Sequence, residues 1–506
     1  MIARISAVSL VSALCAVPAF SATCESLTSL SLPDTTVTMA QPVAAGAFAP
    51  PAGRGGRGGD ATPYKNLPAF CRVAATIKPS SDSDIKMEIW LPMTGWNGKL
   101  EANGNGGWTG SIAPNTLAGG VEHGYASAMS DLGHEGGSAS FAMGHPEKLI
   151  DFGYRATHEM TVRSKAIINA YYGEAPKLSY FNGCSAGGRQ ALKEAQKYPE
   201  DFNAVIAGSP GTNWTGRSFQ AVWIAQANLK DEASRIPPAK FAAIHAAALE
   251  ACDAIDGVKD GIIDDPRKCK FDPKTIQCKD ADGPTCLTAP QVETARTIYT
   301  DVVNPRTKKE IFPAHERGSE LGWNTMAGPQ PMGFAVELFK FIVFKNPDWD
   351  YKSLNFDTDY DATMKADNGI MNAMDPDLKP FLSRGGKIIQ YHGWADPQIS
   401  PRVSVEYYTS VLEKLGGAKN VNDGYRLFMV PGMAHCGGGE GTSSFDMLSA
   451  MEQWVEGKKA PDQIAASRTR GGKVDRTRPL CAYPQVAKYS GSGSIDDAAN
   501  FSCKMP

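Results

Sequence analysis

Gly183-Cys184-Ser185-Ala186-Gly187 sets a serine in the pattern G-x-S-x-G. A serine hydroxyl is a weak nucleophile until a neighbouring base takes its proton. The pattern serves that chemistry because it places the serine on a sharp strand-to-helix turn with strained backbone angles, where flanking glycines let neighbouring chains come close. Such a turn lifts Oγ out of the sheet. It also leaves the next amide, that of Ala186, at a helix N-terminus, where it is free to hold an oxyanion. So short a pattern also arises by chance as an ordinary Gly-rich turn, and context decides. Leu178–Asn182 is a β-prone run, and Ala186–Tyr198 reads as a helix ended before Pro199.

The nucleophile needs an acid and a base, and after such a turn the chain order is serine, acid, histidine. Downstream stand His392-Gly393-Trp394-Ala395-Asp396-Pro397 and Pro431-Gly432-Met433-Ala434-His435-Cys436. Each follows a predicted strand, Lys387–Tyr391 and Tyr425–Val430, so Asp396 and His435 are expected at the same sheet edge as Ser185. Asp396 would hold the imidazole in the right tautomer. His435 would take the serine proton and return it to a leaving alcohol. His392 is the rival base, disfavoured because it precedes Asp396. Cys184 adjoins Ser185 and Cys436 adjoins His435. A bridge between them would hold their Cα atoms roughly 5.5 Å apart and pin the two loops together; each cysteine could equally pair elsewhere.

The positioning elements follow from periodicity. Leu178–Asn182, Ala186–Tyr198 and Ala204–Ala207 form the strand–helix–strand signature of a parallel sheet, and Ile85–Ile89 alternates like a further strand. From about Thr212 to Pro380 the character changes: aromatics, Asp, Pro and four cysteines gather around helical pieces such as Pro238–Ala251 and Phe334–Phe344. The alternating pattern resumes near Gly385 and includes a helix over Ser400–Leu415. The prediction is an α/β core split into residues 22–211 and 381–506 around an insertion at 212–380.

At 506 residues the chain is long for one compact unit, and a formal net charge of -3 with no basic run argues against nucleic-acid binding. Residues 1–21 read as a signal peptide: Arg4, an apolar run from Ile5 to Val17, then small residues around Ala19-Phe20-Ser21. A buried N-terminal helix is the alternative, weakened by Pro18. Leu14 before Cys15 is a poor fit to a lipoprotein. No later stretch approaches the roughly 20 apolar residues that span a bilayer. A secreted or periplasmic protein that binds no membrane is therefore expected. Cys15 leaves with the signal peptide. The ten remaining cysteines, an even count in an exported chain, imply disulfides, with Cys252–Cys269, Cys278–Cys286 and Cys481–Cys503 favoured by proximity. Gly53–Asp60 lacks the Lys-Ser/Thr of a phosphate loop and reads as a surface loop.

Taken together, Gly183-Cys184-Ser185-x-Gly187-Gly188, Gly393-x-x-Asp396, Pro431-Gly432-Met433-x-His435-Cys436 and the C-terminal Arg478-Pro479-Leu480-Cys481-x-Tyr483-Pro484 resemble the tannase and feruloyl esterase family. The resemblance runs over essentially the whole mature chain. It implies an α/β-hydrolase core with a large inserted lid domain, a Cys184–Cys436 bridge and a Cys24–Cys71 bridge. It also implies that Gly107, in Asn103-Gly104-Asn105-Gly106-Gly107-Trp108, supplies a second oxyanion amide beside Ala186.

In the insertion, Asp253-Ala254-Ile255-Asp256-Gly257-Val258-Lys259-Asp260-Gly261-Ile262 crowds three carboxylates and two glycines into one loop. Such carboxylates repel unless a hard cation or solvent screens them, and the spacing is not that of an EF-hand. The resemblance implies a structural calcium ion on the Asp253, Asp256 and Asp260 side chains and the Val258 and Ile262 carbonyls. No organic cofactor is implied.

For activity, the resemblance implies hydrolysis of small aromatic esters through an acyl-enzyme, feruloyl or hydroxycinnamoyl esters first, with gallate esters or mono(2-hydroxyethyl) terephthalate as alternatives. Phe334, Phe339, Phe341, Phe344 and Trp349 are candidates to line an aromatic pocket. A catalytically silent binding protein on the same fold is the alternative of another class, and the intact Ser185, Asp396 and His435 weigh against it. A serine peptidase is the other enzymatic alternative. The sequence leaves the oligomeric state open.

Overall fold

The computed structural model describes residues 22–50 and 62–506. The signal peptide read at 1–21 and the Gly/Arg loop at 53–60 lie outside the described residues.

Nine strands make one sheet: β1 (Thr35–Val43), β2 (Phe70–Ile77), β3 (Ile85–Pro92), β4 (Lys99–Asn103), β5 (Ala126–Ser130), β6 (Leu178–Cys184), β7 (Ala204–Gly208), β8 (Lys387–Gly393) and β9 (Tyr425–Val430). Their order is β1-β2-β3-β5-β4-β6-β7-β8-β9. The pairs β1/β2, β2/β3 and β3/β5 are antiparallel, and every pair from β5/β4 to β8/β9 is parallel.

The residues explain this division. In β3, Ile85, Met87 and Ile89 are buried while Lys86 and Glu88 keep partial exposure, the alternation of a sheet with one wet face. In β7, Ala204, Val205, Ile206, Ala207 and Gly208 are all buried, the continuous apolar run of a parallel strand covered on both faces. Helix Ala186–Lys197 follows β6 directly. Gly183 sits where a Cβ would stand 2.5 Å from the carbonyl carbon of Gly187, so only glycine lets the strand end and the helix start pack this closely.

Between β7 and β8 no segment joins the large sheet. Residues 209–386 instead carry helices Trp214–Asn228, Phe241–Cys252 and Ala289–Ile298 and the short pair Val302–Val303 and Glu310–Phe312. This segment buries its own apolar cluster, with Ile224, Ile236, Ile244, Leu287, Ile298 and Trp323 at its centre. The stretch Phe334–Phe344 is not one continuous α-helix: an α turn at Gly333–Glu337 widens into a π segment at Leu338–Val343, where Phe344 N–H reaches back to Phe339 O at 2.8 Å. Within this segment Phe339 is anchored in a cluster with Phe219 and Trp349.

Beyond β9 the chain adds Ser444–Phe445, Gln463–Arg470 and Lys473–Cys481 as a three-stranded sheet, and Val486–Tyr489 with Phe501–Lys504 as a hairpin. Five disulfides join Cys24–Cys71, Cys184–Cys436, Cys252–Cys269, Cys278–Cys286 and Cys481–Cys503, with Cα separations from 4.9 to 6.0 Å. Among the described residues no helix is long and apolar enough to cross a membrane.

Candidate active site

Sheet register brings the three predicted residues to one edge. Cys184 of β6 pairs with Gly208 of β7, Gly208 with Tyr391 of β8, and Tyr391 with Phe428 of β9. Ser185 leaves β6 one residue past its end, Asp396 lies three residues past β8, and His435 five past β9. All three therefore sit at the C-terminal edge of the parallel strands, where loops of an open α/β sheet gather their ligands.

Ser185 takes φ 63° and ψ -119° between strand and helix, a positive φ that a non-glycine residue adopts only under constraint. Three contacts hold it. Its N–H donates to Gly208 O at 2.9 Å, and its own carbonyl accepts from Arg189 N at 3.0 Å and Gly211 N at 3.1 Å. The strained turn raises the side chain off the sheet and keeps it half-buried.

The acid and base loops are stitched together by backbone bonds, Trp394 N–H to Val430 O at 2.9 Å and Ala395 N–H to Met433 O at 3.0 Å. Across that seam His435 Nδ1 donates to Asp396 Oδ2 at 2.7 Å. The bond assigns the Nδ1–H tautomer to a neutral His435 and leaves Nε2 as the basic nitrogen. The Cys184–Cys436 bridge, Cα–Cα 6.0 Å, ties the nucleophile turn to the base loop.

Asp396 has no exposed surface. Burial alone would raise its pKa, but the neighbouring charge of His435 and the hydrogen bonds from His392 and His435 outweigh it and hold the carboxyl well below the usual range. Two residues of the insertion also face it. Arg217 is desolvated, its pKa brought down to about 10 by burial; it donates through Nε to Gln398 O at 3.0 Å and lies 4.3 Å over the Phe334 ring. His315 is fully buried, and burial pushes its pKa down to about 4. Nothing in the sequence singled out Arg217 or His315, because neither belongs to a motif and both come from the insertion.

The loop after β4 carries Gly107. A Cβ on Gly104 would stand 2.5 Å from Gly187 Cα, and Asn105 N–H donates to Gln190 Oε1 at 3.2 Å, so this loop is seated against the nucleophile helix. Gly107 itself has φ 51°, and the ring of Phe334 packs over it. Among the described residues no backbone carbonyl accepts the Gly107 amide, and Ala186, first in its helix, lacks an intrahelical acceptor.

Of the five aromatics considered for a pocket, Phe334 reaches this region, packed with Trp108 and Trp214. Phe339, Phe344 and Trp349 stack on one another inside the insertion, and Phe341 packs against the main core. These four serve packing: Phe339, Phe344 and Trp349 belong to a cluster of the insertion with Phe219 and Val222.

The acidic loop lies behind the Cys252–Cys269 bridge. Asp253 accepts from the amides of Asp260, at 3.0 Å, and Gly261, at 2.9 Å. Asp256 accepts from Val258 N–H at 2.9 Å, and Asp260 pairs with Arg478 at 2.5 Å and Arg476 at 3.3 Å. Burial, with mutual repulsion, raises the pKa values of Asp256 and Asp260. Asp253 and Asp256 are thus engaged by backbone amides and Asp260 by arginines, while the three carboxylates repel one another when ionised, a charge that a hard cation would offset. The Asp260–arginine pairs are an addition that the sequence did not reveal.

The model of the tannase and feruloyl esterase family matches residues 71–504. The chain belongs to this family. It is 40% identical to an uncharacterised esterase of Xanthomonas campestris pv. campestris, the match covering 96% of this chain and 91% of that one. It is 32% identical to a probable feruloyl esterase B-1 of Aspergillus oryzae over 88% of this chain and 86% of the other. The crystal structure of feruloyl esterase B from Aspergillus oryzae superposes with TM-score 0.89 at 30% identity, covering 95% of this chain and 99% of that chain. A tannin acyl hydrolase from Aspergillus niger shares the fold, with TM-score 0.78 at 24% identity over 94% and 92% of the two chains. The fold is thus the α/β-hydrolase core of a family of carboxylic ester hydrolases.

Proposed function

We propose that this esterase is exported and hydrolyses esters of aromatic acids, feruloyl and other hydroxycinnamoyl esters foremost, through an acyl-enzyme on Ser185. The observation that carries this reading is the buried Asp396–His435 pair, tied by the Cys184–Cys436 bridge to a serine on a strained strand-to-helix turn. His435 Nε2 takes the Ser185 proton as Oγ attacks the ester carbonyl, and the Ala186 and Gly107 amides receive the negative charge that develops on oxygen. The imidazolium, steadied by Asp396, returns the proton to the departing alcohol. Water then attacks the acyl carbonyl, giving a proton to His435, and the imidazolium returns that proton to Ser185 Oγ as the bond to the acyl group breaks and the acid is released. Phe334, part-exposed beside the Gly107 loop and backed by the buried Trp108 and Trp214, offers an aromatic face for the acyl group.

Asp253, Asp256 and Asp260 with the carbonyls of Val258 and Ile262 would hold a calcium ion. It would neutralise the loop's charge and fasten it structurally. Five disulfides and the apolar N-terminal run support an oxidising compartment outside the cytosol.

The test is release of free acid from methyl ferulate, methyl gallate and mono(2-hydroxyethyl) terephthalate by the wild type and Ser185→Ala. Turnover of methyl ferulate lost in Ser185→Ala supports the reading. Turnover of another of these esters alone moves the substrate to that branch. No turnover of any aryl ester by folded protein refutes it.

A further inference from the structure

Asp396 is fully buried, so an ionised carboxylate there must be satisfied by donors. Oδ1 accepts the backbone amides of Gln398, at 2.8 Å, and Ile399, at 3.0 Å. Oδ2 accepts His435 Nδ1 at 2.7 Å and also His392 Nε2 at 3.1 Å. His392 lies in β8 with no exposed surface. Its Nε2 faces a second acceptor, Ile399 O at 3.2 Å, and its Nδ1 lies 2.7 Å from Ser404 Oγ on the following helix. Two acceptors on the Nε2 side require Nε2 to carry hydrogen. In the neutral ring Nδ1 then accepts the Ser404 hydroxyl, so each ring nitrogen is satisfied in one orientation.

We propose that His392 is a positioning residue for catalysis: by sharing Oδ2 of Asp396 with His435 it holds the carboxylate in register and divides the charge that faces the His435 ring. The inference rests on the reading of Ser185, Asp396 and His435 given above. Two donors on one oxygen divide its negative charge, so the Asp396–His435 bond stabilises the imidazolium less than an unshared carboxylate would. The groups facing Asp396 are His392 from β8, His435 from the loop after β9, and His315 and Arg217 from the insertion. His392 and His435 are the imidazoles hydrogen-bonded to its side chain.

The test uses the full chain with His392→Leu, which removes the donor, His392→Gln, which can keep one, and Ser404→Ala, which unpins the ring and leaves it in place. Initial rates on methyl ferulate are followed against pH, with near-ultraviolet circular dichroism reporting the fold. His392→Leu is expected to lose about tenfold to a hundredfold in kcat, the size of one hydrogen bond to a charged group, with KM nearly unchanged. The acid limb of kcat/KM should move to higher pH in His392→Leu and, by less, in Ser404→Ala. His392→Gln should recover part of the loss. An acid limb that stays in place in Ser404→Ala and in any folded His392 variant, or equal impairment of His392→Gln and His392→Leu, overturns the proposal. Asp396→Asn separates the two readings: an active Asp396→Asn enzyme refutes the triad itself, whereas an inactive one beside a normal His392→Leu refutes only the role of His392.

Discussion

Removing the bridge between Cys184 and Cys436, as the double alanine variant, should weaken the protein and its catalysis together. The two cysteines are 252 residues apart in sequence. In the chain-entropy treatment, closing a loop of that length removes about 5.5 kcal/mol of unfolded-state freedom, whereas the 8-residue loop closed by Cys278–Cys286 removes about 2.5 kcal/mol. The comparison is therefore internal: the Cys184/Cys436 variant should lose about 3 kcal/mol more than the Cys278/Cys286 variant in urea unfolding at one temperature. Catalysis should separate them further. Cys184 and Cys436 are the chain neighbours of Ser185 and His435, and a misplacement of about 1 Å at such a site can cost 100-fold. The first variant should then lose at least about tenfold in kcat on methyl ferulate, and the second should keep wild-type rates. Equal destabilisation by the two variants, or full kcat without the long bridge, would refute the argument that this disulfide holds the nucleophile and base loops in register.

Three further outcomes are expected. Gly104→Ala places a Cβ 2.5 Å from Gly187 Cα and must displace the Gly107 loop; loss of one oxyanion donor predicts a fall in kcat of about 100-fold, read by steady-state kinetics on a soluble aryl ester. His315, held neutral by burial with its pKa down near 4, cannot take the proton that the unfolded chain accepts near pH 6.5. Stability should therefore fall as pH drops from about 6.5 to 4, by about 3 kcal/mol at most, and His315→Leu should flatten that slope in denaturant titrations at stepped pH. Chelation of divalent ions should lower the melting temperature, and calcium at about 100 times its Kd should restore about 2.7 kcal/mol; calorimetry of Asp256→Ala, which should be blind to calcium, checks the assignment to the acidic loop.

The sheet was legible where residues repeat with a simple period. Val205 and Ile206 mark a buried strand, and Ile85, Met87 and Ile89 a half-wet one, because burial on one or two faces leaves a direct trace in side-chain type. The turn at Ser185 and the approach of His435 to Asp396 were legible because turn chemistry and chain order constrain where these residues fall. Phe339, Phe344 and Trp349 were harder, since an aromatic side chain looks the same whether it lines a pocket or fills a core; only its packing partners in the fold decide which. Arg217, His315 and the Asp260–Arg478 pair were invisible for another reason. Each depends on contacts between segments far apart in the chain, and no local pattern records such contacts.

The split of the core also sets an order of events. Ser185 is made roughly 250 residues before His435, with residues 209–386 synthesised in between. A nascent or truncated chain that stops before β9 carries the nucleophile turn but neither its base nor the second cysteine of the bridge. On the proposed reading of Ser185 and His435, a fragment that ends within the insertion should therefore be inert. By the same logic, two fragments divided within residues 209–386 should each be silent alone and regain turnover when they reassociate.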